Sequence, residues 1–251
     1  IISLVNIHAL VQMCNVFGVD DMMIMTPGII SSSVAFLPNS IACTMAAWSL
    51  TFWRQNQPNK LLLTLAAMTI LTWPYAIVFY LPFVFTRFDG KQARFAFQIR
   101  RYMLAGLFAV IYVAAPVTII DYLQYGKVTL TWLNAVLYNV LGGNDGKFGV
   151  ENGHFYVLNG LLNYNLLLLL PLLSPTSIFS TTFYTCLTLL SSRAHKEERF
   201  LYPLIPMMVV ACGKWSRLKI VKAALFVSCI WRLISVKQYY GGVDELFSKF
   251  P

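Results

Sequence analysis

The sequence is poor in charged residues and especially poor in acidic ones. Only 12% of its 251 residues are charged, with ten acidic residues against nineteen basic ones, whereas 58% are hydrophobic. A soluble globular domain usually carries about 25% charged residues. The composition therefore excludes a disordered chain and argues strongly against a soluble enzyme domain. It predicts an all-α, polytopic integral membrane protein.

Several motifs of soluble enzymes and metalloproteins are also missing. The sequence has no Rossmann or P-loop glycine pattern. Its five cysteines lie in apolar runs, which is typical of reduced packing residues rather than of disulfides. His8 and His154 have no cysteine or second histidine at ligand spacing, and no carboxylate cluster is visible. We therefore expect neither a cofactor nor a bound metal.

Apolar runs separated by short polar breaks make up most of the chain. They lie at residues 1–19, 22–33, 34–53, 60–86, 102–120, 157–173, 178–190, 200–213 and 221–236. Several are shorter than the roughly 20 residues of a straight membrane span, so we expect tilted, re-entrant or shielded helices. The run 60–86 contains Trp73-Pro74 near its middle, which predicts two short helices joined by a turn.

These runs define the expected organisation of the domain. We interpret residues 1–251 as part of a multi-pass transmembrane domain with about eight to ten membrane segments. The chain begins at Ile1, without an initiator Met or a signal peptide. We therefore expect it to be an internal piece of a longer protein.

The basic residues suggest an orientation in the membrane. They cluster in three breaks, at residues 54–60, 87–101 and 214–222. Cytoplasmic loops of membrane proteins collect Lys and Arg, which explains the net charge of +9 better than nucleic-acid binding does. If the run 60–86 is a helical hairpin, all three breaks lie on the cytosolic side. The segments 121–156 and 191–199 then lie together on the opposite side.

The most unusual segment runs from Ser192 to Pro203, with the sequence SRAHKEERFLYP. Six of the seven residues from Arg193 to Arg199 are ionisable. A solvated connection between two spans is one explanation of such a block. The mixture of both signs argues against a purely topogenic signal, and the planar guanidinium of Arg199 suits bidentate contacts with phosphate or carboxylate. Polar groups at a membrane boundary are often functional.

This segment resembles a known signature. The string His195-Lys196-Glu197-Glu198-Arg199-Phe200-Leu201, with Pro203, is similar to the signature of glycosyltransferase family 22. Colinear similarity extends over about residues 30 to 240. It includes Ser31-Ser32-Ser33, Trp73-Pro74, Asp121-Tyr122, Tyr125-Gly126-Lys127, Phe148-Gly149 and Asn163-Tyr164-Asn165. The two consecutive glutamates look most like the family members that form α-1,2 linkages in the asparagine-linked glycosylation pathway.

The resemblance implies a fold and a reaction. The fold is a GT-C-type helical bundle in a multi-pass protein of the endoplasmic reticulum membrane, with lumenal loops near residues 121–156 and 191–199. The reaction transfers mannose, with inversion, from dolichyl-phosphate mannose to a dolichyl-diphosphate-linked oligosaccharide. These two lipids and membrane lipid are the implied partners, without nucleic acid or cofactor. The family's catalytic acidic residue lies in a first lumenal loop that nothing here matches, so the catalytic residue stays unknown.

The charged segment supplies most of the candidate substrate-binding residues. A departing phosphate needs stabilisation of its charge rather than a proton donor. We therefore expect Lys196, Arg199 and His195 to hold the phosphate. Glu197 and Glu198 are expected to orient these cations or to help hold the acceptor, because carboxylates would repel a departing anion.

The segment 121–156 supplies the remaining candidates. Asp121, Glu151 and Lys127, in the Gly126-Lys127 turn, are expected to contact the oligosaccharide acceptor. Trp and Tyr residues also mark the headgroup level of many membrane proteins. An interfacial belt therefore explains most of the aromatic residues of this segment.

Three other interpretations stay open at this stage. Another member of the same family, a mannosyltransferase that acts on glycosylphosphatidylinositol (GPI) anchors, would use the same donor. A transporter or flippase would also show short broken helices and intramembrane prolines, although no inverted repeat is visible. An inactive remnant of the enzyme is the third interpretation.

Overall fold

The structure is a computed structural model that describes residues 2–35, 37–86, 92–138 and 149–240. All regular structure within these ranges is helical, as the all-α prediction requires. The α-helices are α1 (Ile2–Phe17), α2 (Pro27–Val34), α3 (Pro38–Arg54), α4 (Pro58–Leu71), α5 (Ala76–Phe85), α6 (Gln92–Ala109), α7 (Ala115–Tyr125), α8 (Thr131–Val136), α9 (Phe155–Tyr164), α10 (Leu166–Leu169), α11 (Ile178–Ser191), α12 (Ile205–Ala211) and α13 (Lys219–Tyr240). Short 3-10 helices lie at Asp21–Ile24, Leu170–Leu173, Glu198–Leu204 and Gly213–Arg217.

Proline and glycine set several of the helix ends. Pro27, Pro38 and Pro58 each begin a helix, where the missing backbone N–H leaves no hydrogen bond unmade. The predicted hairpin in the run 60–86 is confirmed, because α4 ends at Leu71 and α5 begins at Ala76. The Trp73-Pro74 pair lies in the turn between them.

Several runs differ from their predicted extents, and in two of them a backbone feature explains the difference. The run 157–173 breaks at Asn165, which has a positive φ of 52° and ends α9. The helix predicted at 102–120 is longer, because α6 and α7 continue into each other through a π-helical turn at Val110–Ala114. It ends only where Gly126 adopts a left-handed conformation, with φ 67°.

By length and composition, one helix within the described ranges is suited to cross a membrane, namely Tyr102–Tyr125, with 24 residues. The pair α2 and α3, bent by 110°, would be a second if it forms one broken span. The apolar helices α1, α4, α5 and α11 are 10–17 residues long. The number of membrane segments therefore remains a prediction.

The helix α3 connects two chemically different ends of the molecule. At its N-terminal end the fully buried Asn39 donates from Nδ2 to the carbonyl oxygen of Arg199 at 2.9 Å and to Tyr75 Oη at 3.0 Å. At its C-terminal end the Arg54 guanidinium lies over the Phe17 ring, 6.0 Å from its centroid. The 17 residues of α3 separate these ends by about 25 Å.

More cations gather at the C-terminal end of α3, which we call the basic end (Arg54, Arg217 and Lys222). Arg217 donates from Nη2 to the carbonyl oxygen of Gly18, directly after Phe17, at 2.9 Å. Lys222 Nζ lies 2.7 Å from Asp20 Oδ2. Residues of the first and third basic breaks thus meet at one end, and the 191–199 segment contacts the other. The membrane sidedness that the charge pattern predicts stays a prediction.

Close packing of α2 against α9 gives a first testable prediction. A Cβ atom added at Gly28 would lie 2.5 Å from Cε1 of Tyr164, whose side chain is buried. We expect Gly28→Ala to destabilise the protein by about 1–3 kcal/mol, seen as a lower midpoint of thermal unfolding in detergent. Gly106→Ala is the control, because nothing lies within 4 Å of its added Cβ. Equal midpoints for the two variants would contradict the packing.

Candidate functional site

The charged cluster (His195, Lys196, Glu197, Glu198 and Arg199) lies in the connection between α11 and α12. Its C-terminal part enters the 3-10 helix Glu198–Leu204, which contains Pro203. Two hydrogen bonds fix this helix in place, one from Tyr80 Oη to the Pro203 carbonyl oxygen at 2.6 Å and one from Asn39 to that of Arg199. The cluster is therefore anchored to α3 and α5.

Glu197 is the centre of the cluster. Its Oε1 lies 2.9 Å from Nε2 of His195, and its Oε2 forms an ion pair with Nε of Arg199. Burial alone raises the pKa of the Glu197 carboxyl. Hydrogen bonds and charges from Arg199 and His195 outweigh burial, and the pKa lies below its usual range. An ionised carboxylate thus orients an imidazole and a guanidinium together.

Glu198 makes different contacts. Its Oε1 accepts a hydrogen bond from Asn163 Nδ2 of α9 at 2.9 Å. Burial raises the pKa of the Glu198 carboxyl, and the charge of Arg232 on α13 offsets this only in part. The two adjacent glutamates therefore have separate neighbourhoods, and Glu197 is the one that orients the cations.

Lys196 is the most buried residue of the cluster, with 5% of its surface exposed. Its Nζ donates to the carbonyl oxygens of Glu151 at 2.7 Å and Arg193 at 2.5 Å. The Glu151 backbone N–H donates in turn to the Ala194 carbonyl oxygen at 3.1 Å. One ammonium proton thus connects the two loops that were predicted to share one side, and a second holds the 191–199 loop to itself.

A cavity of about 670 Å³ opens beside the cluster. We call it the aromatic cavity. It is lined by Trp73, Pro74, Tyr75, Val78, Phe79, Ala135, Val136, Tyr138, Tyr156, Leu189, Leu190, Arg193, His195, Glu197, Arg199 and Phe200. Small-molecule sites commonly combine apolar and aromatic walls with a few polar groups. The acidic and basic residues that line this cavity all belong to the 193–199 segment. The cavity is therefore suited to a ligand that carries an anionic group on an otherwise apolar or ring-shaped body.

The other predicted site residues lie at varying distances from this cavity. Asp121 Oδ2 accepts a hydrogen bond from Thr131 Oγ1 at 2.5 Å, where α8 begins. Because α8 lines the cavity, Asp121 supports its wall. Glu151 reaches the cluster through its backbone, and its side chain is exposed. Lys127 is exposed in the turn after α7, and within the described part of the chain no ion pair joins it to the cluster.

Some residues of the site were not identified from the sequence. Asn39 donates to the Arg199 carbonyl oxygen and to Tyr75 Oη, and the charge of Arg232 acts on Glu198. A polar or charged residue inside an apolar run is the only local signal that marks Asn39 and Arg232. Residues 139–148 of the predicted lumenal loop lie outside the described residues. Within the described ranges, no group of three or more His, Cys, Asp or Glu residues is placed to hold a metal ion.

The opposite pKa shifts of the two glutamates predict opposite effects of two isosteric substitutions. The pKa of Glu197 is lowered, so its ionised form stabilises the protein fully above about pH 4.5, the ordinary pKa of a glutamate. This contribution is lost as the pH falls through the lowered pKa. Glu198 has a raised pKa, so stability decreases as the pH rises through the raised value. At neutral pH we expect Glu197→Gln to lower the thermal unfolding midpoint. Glu198→Gln keeps the acceptor for Asn163 and should leave the midpoint unchanged or higher.

The measurement is thermal unfolding of both variants across the acidic to neutral range. Glu198→Gln should also flatten the decrease in stability between mildly acidic and neutral pH. Equal losses for the two variants at neutral pH would show that the carboxylates do not have these separate neighbourhoods.

Comparison with known proteins places the chain among mannosyltransferases. The Alg9-like mannosyltransferase family model matches residues 17–242. The chain is 31% identical over 234 residues to human alpha-1,2-mannosyltransferase ALG9, covering 84% of the chain and 37% of the human protein. The mouse protein of the same name is 30% identical over 233 residues, with the same coverages.

A further relative carries a different name. Zebrafish GPI alpha-1,2-mannosyltransferase 3 is 30% identical over 164 residues, covering 60% of the chain and 29% of the zebrafish protein. No solved structure matches the chain. The chain spans about 37% of the length of the human and mouse proteins. The family match confirms the resemblance to glycosyltransferase family 22, and the chain belongs to the Alg9-like mannosyltransferase family.

Proposed function

We propose that the protein transfers mannose from dolichyl-phosphate mannose to a dolichyl-diphosphate-linked oligosaccharide, with an α-1,2 linkage, for protein N-glycosylation. Membership of the family and the names of the human and mouse relatives support this reaction. The observation that carries the proposal is Arg199, which is oriented by Glu197 on the wall of the aromatic cavity.

The reaction requires that groups on this wall stabilise the negative charge that develops on the phosphate. The bond from the anomeric carbon of mannose to the phosphate oxygen breaks, and its electron pair leaves with the phosphate. The acceptor hydroxyl oxygen forms the new bond and gives its proton to a base. Donors aimed at the developing phosphate charge lower the barrier. Arg199 presents a planar guanidinium to the cavity, and Arg193 and His195 line the same wall.

The charge balance of the wall explains the role of Glu197. A carboxylate close to a departing anion is unfavourable unless it is paired. Glu197 is paired with Nε of Arg199 and faces Nε2 of His195. It therefore holds both groups in position while the cations remain closest to the phosphate. The aromatic rings of Trp73, Tyr75 and Tyr156 form the rest of the wall, where we place the mannose and the first part of the lipid.

We further propose that the chain is part of a multi-pass protein of the endoplasmic reticulum membrane, with about eight to ten membrane segments. The segments 121–156 and 191–199 face the lumen in this arrangement, and the basic end faces the cytosol. The separation of the charged cluster from the basic end along α3 supports it, since cytoplasmic loops are rich in Lys and Arg.

Transfer by the purified full-length protein tests the proposed function. The assay supplies radiolabelled dolichyl-phosphate mannose with either a dolichyl-diphosphate oligosaccharide or a mannosylated GPI precursor as acceptor. We expect label in the dolichyl-linked oligosaccharide, released by an α-1,2-specific mannosidase. Label only in the GPI precursor would favour the second candidate, to which the zebrafish relative points. Movement of the donor lipid across the membrane of vesicles, without transfer of mannose, would indicate a transporter.

A further inference from the structure

A second cavity, of about 620 Å³, lies between α9 and α13 and shares no lining residue with the aromatic cavity. We call it the α13 groove. Its floor includes Ile220, Ala224, Val227 and Trp231, which recur every three or four residues on one face of α13. Leu161 and Leu162 of α9 line it as well. The α13 groove is therefore a mostly apolar groove between two helices.

Two nitrogen donors interrupt this apolar lining. Nε of Arg232 and Nδ2 of Asn165 are buried, and neither has a hydrogen-bond partner among the described residues. A buried donor without an acceptor costs about 1–3 kcal/mol, and more when it is charged. Asn165 also has a positive φ of 52°, and a strained backbone tends to persist where a function requires it. Both donors indicate an acceptor-bearing ligand in the groove.

Glu198 is the acidic residue whose charge acts on Arg232. Its charge interacts with that of Arg232, but its Oε1 accepts from Asn163, and among the ion pairs of the described residues none joins Glu198 to Arg232. The carboxylate therefore does not complete the hydrogen bonding of Arg232 Nε. An anion from outside the chain would do so, with charge complementary to the guanidinium.

The distribution of polarity along the groove gives the ligand a direction. From Ile220 to Ser235 the α13 face extends over about 22 Å. Arg232 and Ser235 lie at one end, on the side of Glu198, and Ile220 and Ala224 lie at the other. One leaflet of a bilayer has an apolar thickness of about 15 Å. The groove thus matches an amphiphile with an anionic head at Arg232 and one chain along α13.

We propose that the α13 groove binds an anionic phospholipid of the surrounding bilayer. Its phosphate accepts hydrogen bonds from Arg232 and Asn165, and an acyl chain lies against Val227 and Ala224. This inference rests on the membrane location proposed above. The donor lipid is a separate ligand, because its phosphate has to reach Arg199 in the aromatic cavity and the two cavities have no residue in common.

Native mass spectrometry of the purified full-length protein tests this site, with phosphatidylglycerol and diacylglycerol, which has the same chains without the phosphate, as probes. We expect the unmodified protein to bind phosphatidylglycerol more tightly than diacylglycerol. Arg232→Gln should weaken phosphatidylglycerol binding about tenfold, which corresponds to the loss of one charge-assisted hydrogen bond, and should leave diacylglycerol binding unchanged. Asn165→Asp, which tolerates the positive φ and removes the donor, should act in the same direction.

Lys219→Gln is the matched control, because Lys219 is an exposed cation on the same helix outside the groove. Its phosphatidylglycerol binding should equal that of the unmodified protein. Unchanged binding in Arg232→Gln and Asn165→Asp, or an equal loss in Lys219→Gln, would overturn the proposal. Displacement of phosphatidylglycerol by dolichyl phosphate would also overturn it, since the groove would then be a substrate site. Because the readout is lipid binding, loss of mannosyl transfer alone bears on the proposed function and not on this groove.

Discussion

Replacement of Arg199 by Lys in the full-length protein is expected to reduce mannosyl transfer about a hundredfold. Lysine keeps the positive charge but cannot make the planar, bidentate contacts of a guanidinium. The substitution also removes the ion pair between Nε of Arg199 and Glu197, so the carboxylate at the cavity wall would lose one of its two partners. The measurement is the rate of transfer from radiolabelled donor at equal protein abundance.

Arg217→Lys is the matched control for this experiment. Arg217 lies at the basic end, where Nε and Nη2 donate to the Gly18 carbonyl oxygen, and it is separated from the charged cluster by the length of α3. We expect Arg217→Lys to retain transfer within a few-fold of the unmodified protein. Near-normal transfer by Arg199→Lys, or similar losses in both variants, would contradict a specific role of Arg199.

Replacement of Lys196 by Met is expected to release the 149–151 segment from the charged cluster. Met fills a similar volume, but it leaves the Glu151 and Arg193 carbonyl oxygens without the ammonium donor. Loss of such charge-assisted hydrogen bonds costs about 2 kcal/mol. We therefore expect hydrogen exchange at the Glu151 amide to become roughly tenfold to a hundredfold faster, together with weaker transfer.

Hydrogen exchange distinguishes this positioning role from direct phosphate binding. If Lys196 only contacted the donor phosphate, the substitution would reduce transfer and leave the Glu151 amide unchanged in the absence of donor. Lys127→Met is the control, because Lys127 is exposed. Exchange at Glu151 should be the same in that variant and in the unmodified protein.

The sequence predicted much of the architecture because its signals are local. Pro74 marks the turn between α4 and α5, and Gly126 marks the end of α7. The positions of the basic breaks predicted that Arg54 and Lys222 lie on the same side, and both lie at the basic end. Each of these predictions depends on a few neighbouring residues, or on one rule of charge distribution.

The side-chain arrangement of the site was not predictable in the same way. Glu197 and Glu198 are adjacent and chemically identical, and only the packing of α9 and α13 around them gives them different partners. Lys196 was expected to hold a phosphate, yet its ammonium is directed at two backbone carbonyl groups. Contacts between residues about 45 positions apart arise from tertiary packing, which leaves no local pattern in a single sequence.

The most direct test of the central claim is to map where the donor phosphate lies in the full-length protein. A dolichyl-phosphate mannose analogue with a photoreactive group next to the phosphate would be cross-linked, and the modified peptides identified by mass spectrometry. The account predicts cross-links within residues 193–199, lost in Arg199→Lys and retained in Arg217→Lys. Cross-links to the basic end, or cross-links unaffected by Arg199→Lys, would contradict it.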